Sequence, residues 1–165
     1  MKLTAFTDYS LRVLMFLATD PQRRATIAEI AAAFAVSENH LTKVVHFLGK
    51  QGWVSTARGK GGGLRLAKPA HTIGVGQVVR DTEGAAVPAE CFSAHGSSCV
   101  IAECCRLHVV LAEAVNAFYA VLDRYTLADI SRNRKTLGAI LRFQRPAATV
   151  IARRRRYDRP ARCTV

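Results

Sequence analysis

The sequence predicts a mainly α protein with a small β-hairpin, organised as a winged helix-turn-helix domain followed by a long C-terminal helix. Two observations predict this fold. Three apolar segments with helical spacing precede Gly52, and only a short turn separates the last two. A basic, glycine-rich loop between two short alternating segments follows at once, which is the pattern of a hairpin wing. Half of the residues are hydrophobic, which is enough for a folded core.

The first two helices are predicted from apolar spacing, and a capping residue supports the first. The first covers residues 9–18, with Thr7 or Asp8 as its N-cap. The second runs from about Thr26 to Phe34.

After a turn at residues 35–36, Ser37 caps a third helix that ends at Gly52. The second helix of a helix-turn-helix enters the major groove, and its first residues reach the base edges. Glu38 can accept from a cytosine amino group, and Asn39 can pair with adenine. The residues predicted to contact DNA from this helix are Ser37, Glu38, Asn39, His40, Thr42 and Lys43.

The predicted wing has short strands at residues 53–54 and 64–66, joined by a turn at residues 58–63. Its cations, Arg58 and Lys60, are predicted to contact phosphates beside glycines that allow a close backbone approach. The loop lacks the residue order of a nucleotide-binding P-loop. The alternative is an ordinary solvated surface on a helix-turn-helix that contacts protein.

A short helix is predicted to open at residues 73–79 and to end before Gly84. The longest helix is predicted from about Cys105 to Ile130. Its apolar stripe either faces a partner or packs on the protein's own N-terminal domain. The stripe comprises Leu107, Leu111, Val115, Phe118, Leu122 and Tyr125.

The predicted organisation is a DNA-binding domain at 1–83, a cluster-binding loop at 84–104, a dimerisation helix region at 105–143 and a basic tail at 144–165. From residue 145 onward there are seven arginines against one aspartate, so the tail carries +6 of the net charge of +12. Such a balance suits a polyanion, either nucleic acid or an anionic membrane surface. A charge run of this kind is typical of a disordered, solvated tail.

No stretch is long and apolar enough to span a membrane, and the N-terminus lacks a signal-peptide layout, so we expect a cytoplasmic protein with no membrane partner. Five cysteines in a reducing compartment favour metal or redox chemistry over disulfides. Of the five, Cys104 is interpreted as a bystander or an alternative ligand, and Cys163 as a free thiol in the tail.

Three cysteines, Cys91, Cys99 and Cys105, lie in a loop that leads into the long helix. Thiolates brought together in this way can hold a soft metal or a cluster, whereas the paired C-x2-C spacing of zinc sites is absent. A fourth ligand must come from elsewhere. His108, one helical turn after Cys105, is a candidate, although a lone helical histidine is more often a packing residue. Free, redox-reactive thiols are the alternative.

These residues resemble a known family. The matching segments cover about residues 1–143 and fall in order: LTAFTDYSLRVLMFLA, TIAEIAAAFAVSENHLTKVV, ARGKGGGLRLAKPA and CCRLHVVLAEAVNAFYAVLDRYTLADI. Together they resemble the NsrR-type nitric-oxide-sensing repressors of the Rrf2 family of iron–sulfur winged-helix regulators. The residues from Gln144 onward have no counterpart in the resemblance.

The resemblance implies a homodimer with crossed long helices and one iron–sulfur cluster, 4Fe-4S or 2Fe-2S, per subunit. The three cysteines named above would be ligands, and the fourth would be Asp8 of the partner subunit. Taken alone, Asp8 is better explained as a helix cap. The chain departs from the family pattern in two ways: the gap between the first two cysteines is longer, and Cys104 is an extra thiol. Ligation by His108 would resemble the Cys3His ligation of the related cluster-biogenesis regulator.

The resulting hypothesis is a cluster-loaded dimer that binds an inverted repeat and represses genes of nitric oxide detoxification, with nitrosylation of the cluster relieving repression. Two alternatives within the regulator class are an iron- or cluster-status sensor, since the sequence around Cys91 also resembles the rhizobial iron regulator, and a cluster-free thiol redox regulator. An enzyme with a cysteine nucleophile lacks a matching signature, so we expect no enzymatic activity.

Overall fold

The chain is represented by a computed structural model that describes residues 3–84, 89–92, 99–101 and 104–143. Seven α-helices and one hairpin lie in these ranges, with short 3-10 turns at Ala70–Thr72 and Glu90–Phe92. The bounds are α1 Ala5–Thr19, α2 Ile27–Phe34, α3 Glu38–Lys50, β1 Val54–Ala57, β2 Gly63–Leu66, α4 Val75–Glu83, α5 Arg106–Leu122, α6 Leu127–Ile130 and α7 Arg134–Phe143.

Helix α1 begins earlier than its apolar run predicts. Thr4 is the N-cap, and its side chain accepts a hydrogen bond from the backbone N–H of Thr7 at 3.2 Å. The prediction of Thr7 or Asp8 as the cap is therefore wrong. Thr7 is fully buried, and Asp8 lies in the first turn, where its negative charge suits the helix dipole. A polar cap and one further turn precede the apolar stripe, which is why spacing alone placed the start too late.

The helix-turn-helix forms as predicted, with Ser37 at the N-cap position of α3, although its side chain makes no capping hydrogen bond there. Thr26 and Glu29 make a reciprocal capping box at the start of α2. Ala35 ends α2 in the left-handed conformation, with φ of 52°, and directs the chain into α3. The apolar side of α3 is buried as predicted, through Leu41, Val44, Val45 and Leu48.

The wing is an antiparallel hairpin whose register pairs Val54 with Leu66 and Ala57 with Gly63. Ala25, just before α2, adds an isolated bridge to Leu64, with N···O distances of 2.9 and 2.7 Å. The bridge fastens the wing to the start of the helix-turn-helix. A side chain at Gly63 would meet the backbone oxygen of Ala25 at 2.8 Å, so this close approach requires glycine.

The single long helix predicted from Cys105 to Ile130 is wrong, because α5 ends at Leu122 and a separate helix, α6, begins at Leu127. Thr126 opens α6 with a second capping box, shared with Asp129. Between the two helices, the backbone of Tyr125 accepts a hydrogen bond from Val75 N at 2.9 Å. This hydrogen bond joins the segment between α5 and α6 to the start of α4, and the helix is interrupted there although the apolar spacing continues to Tyr125.

The hydrophobic core lies between α1, α2, α3, the hairpin, α4 and α6. Helix α7 packs against α1 and α2 of the same chain. In the described part of the chain, no helix combines the length and the apolarity that crossing a bilayer requires. The largest fully buried aliphatic side chains are Leu14, Ile30, Leu41, Leu48, Ile73 and Leu127.

Candidate functional site

The first turns of α3 present polar side chains to solvent. All six residues predicted to contact DNA from this helix are exposed, while Leu41 and Val44, between and after them, are almost completely buried. Thr42 donates its hydroxyl to the backbone oxygen of Glu38 at 2.9 Å. Helix α3 therefore offers one polar face for a ligand and anchors the other face in the core. The residues are Ser37, Glu38, Asn39, His40, Thr42 and Lys43.

The wing places its cations at the exposed tip of the hairpin. Arg58 and Lys60 are both exposed and flank Gly59, which has a φ of +87°. Gly62 donates its N–H to the oxygen of Gly59 at 2.9 Å and closes the turn. A side chain at Gly62 would lie 2.4 Å from the oxygen of Ala57, so the turn excludes larger residues there.

The positive charge of this region extends beyond the predicted contacts. The segment from Ser37 to Lys68 contains six Lys or Arg residues and one acidic residue, and all six basic side chains are exposed. A surface of this charge attracts the phosphates of a nucleic acid whatever its base sequence. The six are Lys43, Lys50, Arg58, Lys60, Arg65 and Lys68.

Cys91 and His108 are brought together at the start of α5. The Cys91 Sγ lies 3.4 Å from the Nδ1 of His108, and both residues are half-buried. The ring of Phe92 stacks on the same imidazole, with centroids 4.3 Å apart and planes at 17°. The structure therefore pairs the candidate fourth ligand with the first of the predicted thiol ligands.

The other two predicted thiol ligands do not join this pair in the described residues. Cys99 is exposed, and Cys105 is the half-buried N-cap of α5. Neither these two thiols nor Cys91 and Cys104 are in disulfides. Among the described residues, no group of three or more His, Cys, Asp or Glu side chains converges as a metal site would require. Residues 93–98 and 102–103, which connect the cysteines, and Cys163 lie outside the described ranges.

Asp8 has a different partner from the one that the resemblance implies. Its carboxylate forms two contacts with Arg12, one helical turn later, at 2.8 and 3.0 Å. The guanidinium of Arg12 also lies over the ring of Phe34. Asp8 is half-exposed, so it stays reachable from outside the protomer.

Helix α5 exposes a second apolar stripe beside the one predicted from spacing. None of the residues of α5, all of which are described, is buried. In the predicted stripe, Leu107 and Tyr125 are exposed, whereas the four positions between them are half-buried. The stripe whose positions are all exposed lies about one residue away and has the alternating three- and four-residue spacing of a heptad repeat. It comprises Leu107, Val110, Ala114, Ala117 and Val121.

The C-terminal end of α5 is fixed against α4. Arg80 donates to both carboxylate oxygens of Asp123, at 2.7 and 2.6 Å, and its guanidinium lies 4.5 Å from the centroid of the Tyr119 ring. The hydrogen bonds from Arg80 lower the pKa of Asp123 more than desolvation raises it. Gly76 lies under this pair and leaves room for the Asp123 carboxylate. No spacing rule signals these contacts in the sequence.

Comparison with known proteins identifies the fold and the family. Residues 3–133 match the family model described as "Rrf2: Iron-dependent Transcriptional regulator". The chain belongs to the Rrf2 family. It is thus a transcriptional regulator rather than an enzyme, as its sequence predicts.

Individual relatives extend this assignment over nearly the whole fold. The chain is 50% identical over 146 residues to the HTH-type transcriptional regulator NsrR of Geobacillus kaustophilus, covering 88% of this chain and 99% of that protein. It is 47% identical over 145 residues to the NsrR of Bacillus subtilis, covering 87% and 99%. The solved structure of T. potens IscR superimposes with a TM-score of 0.64 at 26% identity, covering 81% and 88%. The predicted resemblance and fold class are confirmed.

Proposed function

We propose that this Rrf2 regulator is a homodimeric repressor whose affinity for operator DNA depends on an iron–sulfur cluster held by Cys91, Cys99 and Cys105. One observation carries the proposal. The thiol-bearing segment connects α4, which is part of the winged-helix core, to α5, which leaves a complete apolar stripe exposed. A change in that segment therefore acts on the DNA-binding unit and on a subunit contact at once. The name NsrR shared by relatives of high identity supports the same assignment.

DNA binding is assigned to α3 and the wing. Two of the exposed side chains have matching base edges, Glu38 for a cytosine amino group and Asn39 for adenine. Lys43 and the two wing cations, Arg58 and Lys60, suit phosphates, which position the helix without reading sequence. In a dimer, the two α3 helices would read half-sites separated by roughly 34 Å per helical turn of DNA.

Dimerisation is assigned to the exposed stripe of α5. Its outer positions carry large apolar side chains, and Leu107 and Val110 are 61% and 59% exposed. Its centre carries only Ala114 and Ala117, which allow two helix backbones to cross closely. A second copy of α5 has the same stripe, as a two-fold contact requires. A contiguous apolar stripe that stays exposed on the protomer favours contact with a protein partner.

The donor set fits a cluster in its chemistry. Thiolates are the usual ligands of iron–sulfur clusters, and the predicted ligands are thiols rather than disulfides. When bound, a cluster supplies iron that nitric oxide can attack. Cys105 would hold it from the N-cap of α5, so that ligation would fix the direction in which the helix leaves the segment.

The two candidates for the fourth ligand differ in the contacts that each would have to break. His108 already lies beside Cys91, so its ligation needs little rearrangement. Asp8 of the partner subunit would have to leave Arg12, which holds both of its oxygens within each protomer. The proximity of His108 to a thiol also favours a second candidate function, in which the same site reports iron or cluster status rather than nitric oxide.

The test is anaerobic purification followed by visible absorption and native mass spectrometry. We expect one cluster per subunit in the wild type, loss of the cluster in the C91S/C99S/C105S variant, and retention in the matched C104S control. Retention of iron by the triple variant would contradict the cluster assignment. Treatment with a nitric oxide donor or an iron chelator, followed by DNA binding, separates the two candidate signals.

A further inference from the structure

An aromatic contact joins α1 to the reading end of α3. The ring of Tyr9 stacks on the imidazole of His40, with centroids 6.3 Å apart and planes at 24°. Tyr9 is half-buried and packs against the core, whereas His40 is exposed in the first turn of α3. The contact therefore connects a fixed side chain to one that faces solvent.

A second ring contact shows that α1 holds α3 along its length. Phe6, one turn before Tyr9, meets Phe47 edge-on with centroids 5.3 Å apart. Phe47 lies near the end of α3 and is half-buried, so this contact anchors the helix but touches no predicted reading residue. The two contacts thus differ in kind. Phe6 anchors the helix, and Tyr9 restrains a single side chain on its exposed face.

Restraint matters for an exposed side chain that must meet a base. A free imidazole samples several rotamers and loses that freedom on binding, which weakens the contact. A stacked ring keeps one arrangement before the DNA arrives. Imidazole offers an N–H donor and a nitrogen acceptor at its edge, and the edge stays available when the face is covered. The N7 of a purine is an acceptor in the major groove that such an N–H can reach.

We propose that Tyr9 is a positioning residue for DNA recognition, holding His40 so that its imidazole edge reads a purine in each half-site. The inference rests on the proposed DNA contact by α3 and adds to it a determinant outside that helix. Tyr9 itself touches no DNA in this assignment. An aromatic pair contributes about 0.5–1.5 kcal/mol, which corresponds to about a 2- to 12-fold change in affinity.

The test uses the full-length, anaerobically purified protein and a duplex library randomised across two half-sites. Sequences are selected with the wild type, and binding of single-base variants of the best duplex is then measured for Y9L, Y9M, Y9F, H40A and the Y9L/H40A double variant. F6L serves as the control at the other ring contact. Thermal unfolding identifies any variant that is not folded, and Y9M supplies a second non-aromatic replacement, with an unbranched and more adaptable side chain, if Y9L is unstable.

We expect Y9L, Y9M and H40A to flatten preference at the same symmetry-related base pair, with a 2- to 12-fold loss on the best duplex. Y9F should keep the wild-type preference, F6L should change stability but not preference, and Y9L should add nothing in the H40A background. Unchanged preference in H40A, or independent effects of the two substitutions, would overturn the inference. If the wild type selects no sequence at all, the proposed DNA contact fails instead.

Discussion

The winged-helix core and helix α5 follow opposite rules of burial within one chain. Leu14, Ile30 and Leu48 in the core are completely buried, whereas α5 buries none of its residues. Both regions are rich in apolar residues, so composition does not separate them. The core buries its apolar surface within the protomer, whereas α5 leaves part of its apolar surface exposed. The difference supports the proposal that α5 contacts a second copy of the chain, whereas the core needs no second copy to bury its apolar residues.

The largest expected effect that tests this contrast is on the free energy of unfolding. Leu14→Ala removes a completely buried side chain from α1, and we expect a loss of about 2–5 kcal/mol. Val109→Ala, on an α5 position that is 65% exposed, is the control and should change stability by less than about 0.5 kcal/mol. Chemical denaturation followed by circular dichroism measures both. Equal losses would show that α5 is as buried as the core in solution.

A second experiment sharpens the contrast by placing charge in the exposed stripe. Ala114→Glu puts a carboxylate at the centre of the proposed subunit contact, where it would be desolvated without a partner. We expect the dimer dissociation constant to rise about 100-fold, or roughly 3 kcal/mol, in sedimentation analysis. Asn116→Glu, which lies about 200° further round the helix, is the matched control and should leave the dimer intact. Dimers of normal strength in both variants would exclude this stripe as the interface.

A smaller effect is expected where the two regions meet. A side chain at Gly76 would lie 2.0 Å from an Asp123 oxygen and 3.1 Å from the Asp123 backbone nitrogen. We expect Gly76→Ala to separate α4 from α5 at a cost of about 1–3 kcal/mol, the usual penalty of overpacking. Gly74→Ala is the control, because its added carbon would meet only an ordinary contact at 4.0 Å. If both variants unfold at the same temperature as the wild type, α4 and α5 are not closely packed there.

The smallest expected effect concerns acid stability at the same junction. Hydrogen bonds from Arg80 lower the pKa of Asp123 in the folded state, against the opposing effect of desolvation. The stability contributed by this pair is present above the unfolded pKa of about 3.9 and is lost as pH falls through the folded value. Asp123→Asn should therefore reduce stability at neutral pH and approach the wild type below about pH 4. A constant difference across that range would show that the charge of Asp123 is not involved.

Sequence reasoning worked where the signal is local. The apolar spacing of the second and third helices and the glycine at residue 52 marked the helix-turn-helix. Both helices form in the predicted segments, and Gly52 has a φ of +70° just after α3. The break after Leu122 was missed although the Thr126 to Asp129 capping box is equally local, because the apolar stripe runs on to Tyr125. There the prediction followed the apolar periodicity, whereas the structure follows the capping box.

The candidate cluster site was predictable only in its residue types. Cysteine spacing pointed to a shared site, but the approach of Cys91 to His108 joins residues that are distant in sequence, and spacing along α5 gave only the pairing of His108 with Cys105. The Tyr9 and His40 contact, like the fit of Gly76 under Asp123, depends on how two helices pack. The ion pair of Asp8 with Arg12 has ordinary helical spacing and was readable, although its carboxylate was interpreted as a cap.

The central claim is that the state of the three thiol ligands sets operator affinity. Fluorescence anisotropy with the selected duplex, before and after a nitric oxide donor, measures this in wild type, in C91S/C99S/C105S and in C104S. We expect wild type and C104S to lose affinity by at least about 100-fold on treatment, or roughly 3 kcal/mol, and the triple variant to bind weakly throughout. A triple variant that binds tightly and still releases the duplex on treatment would contradict the account.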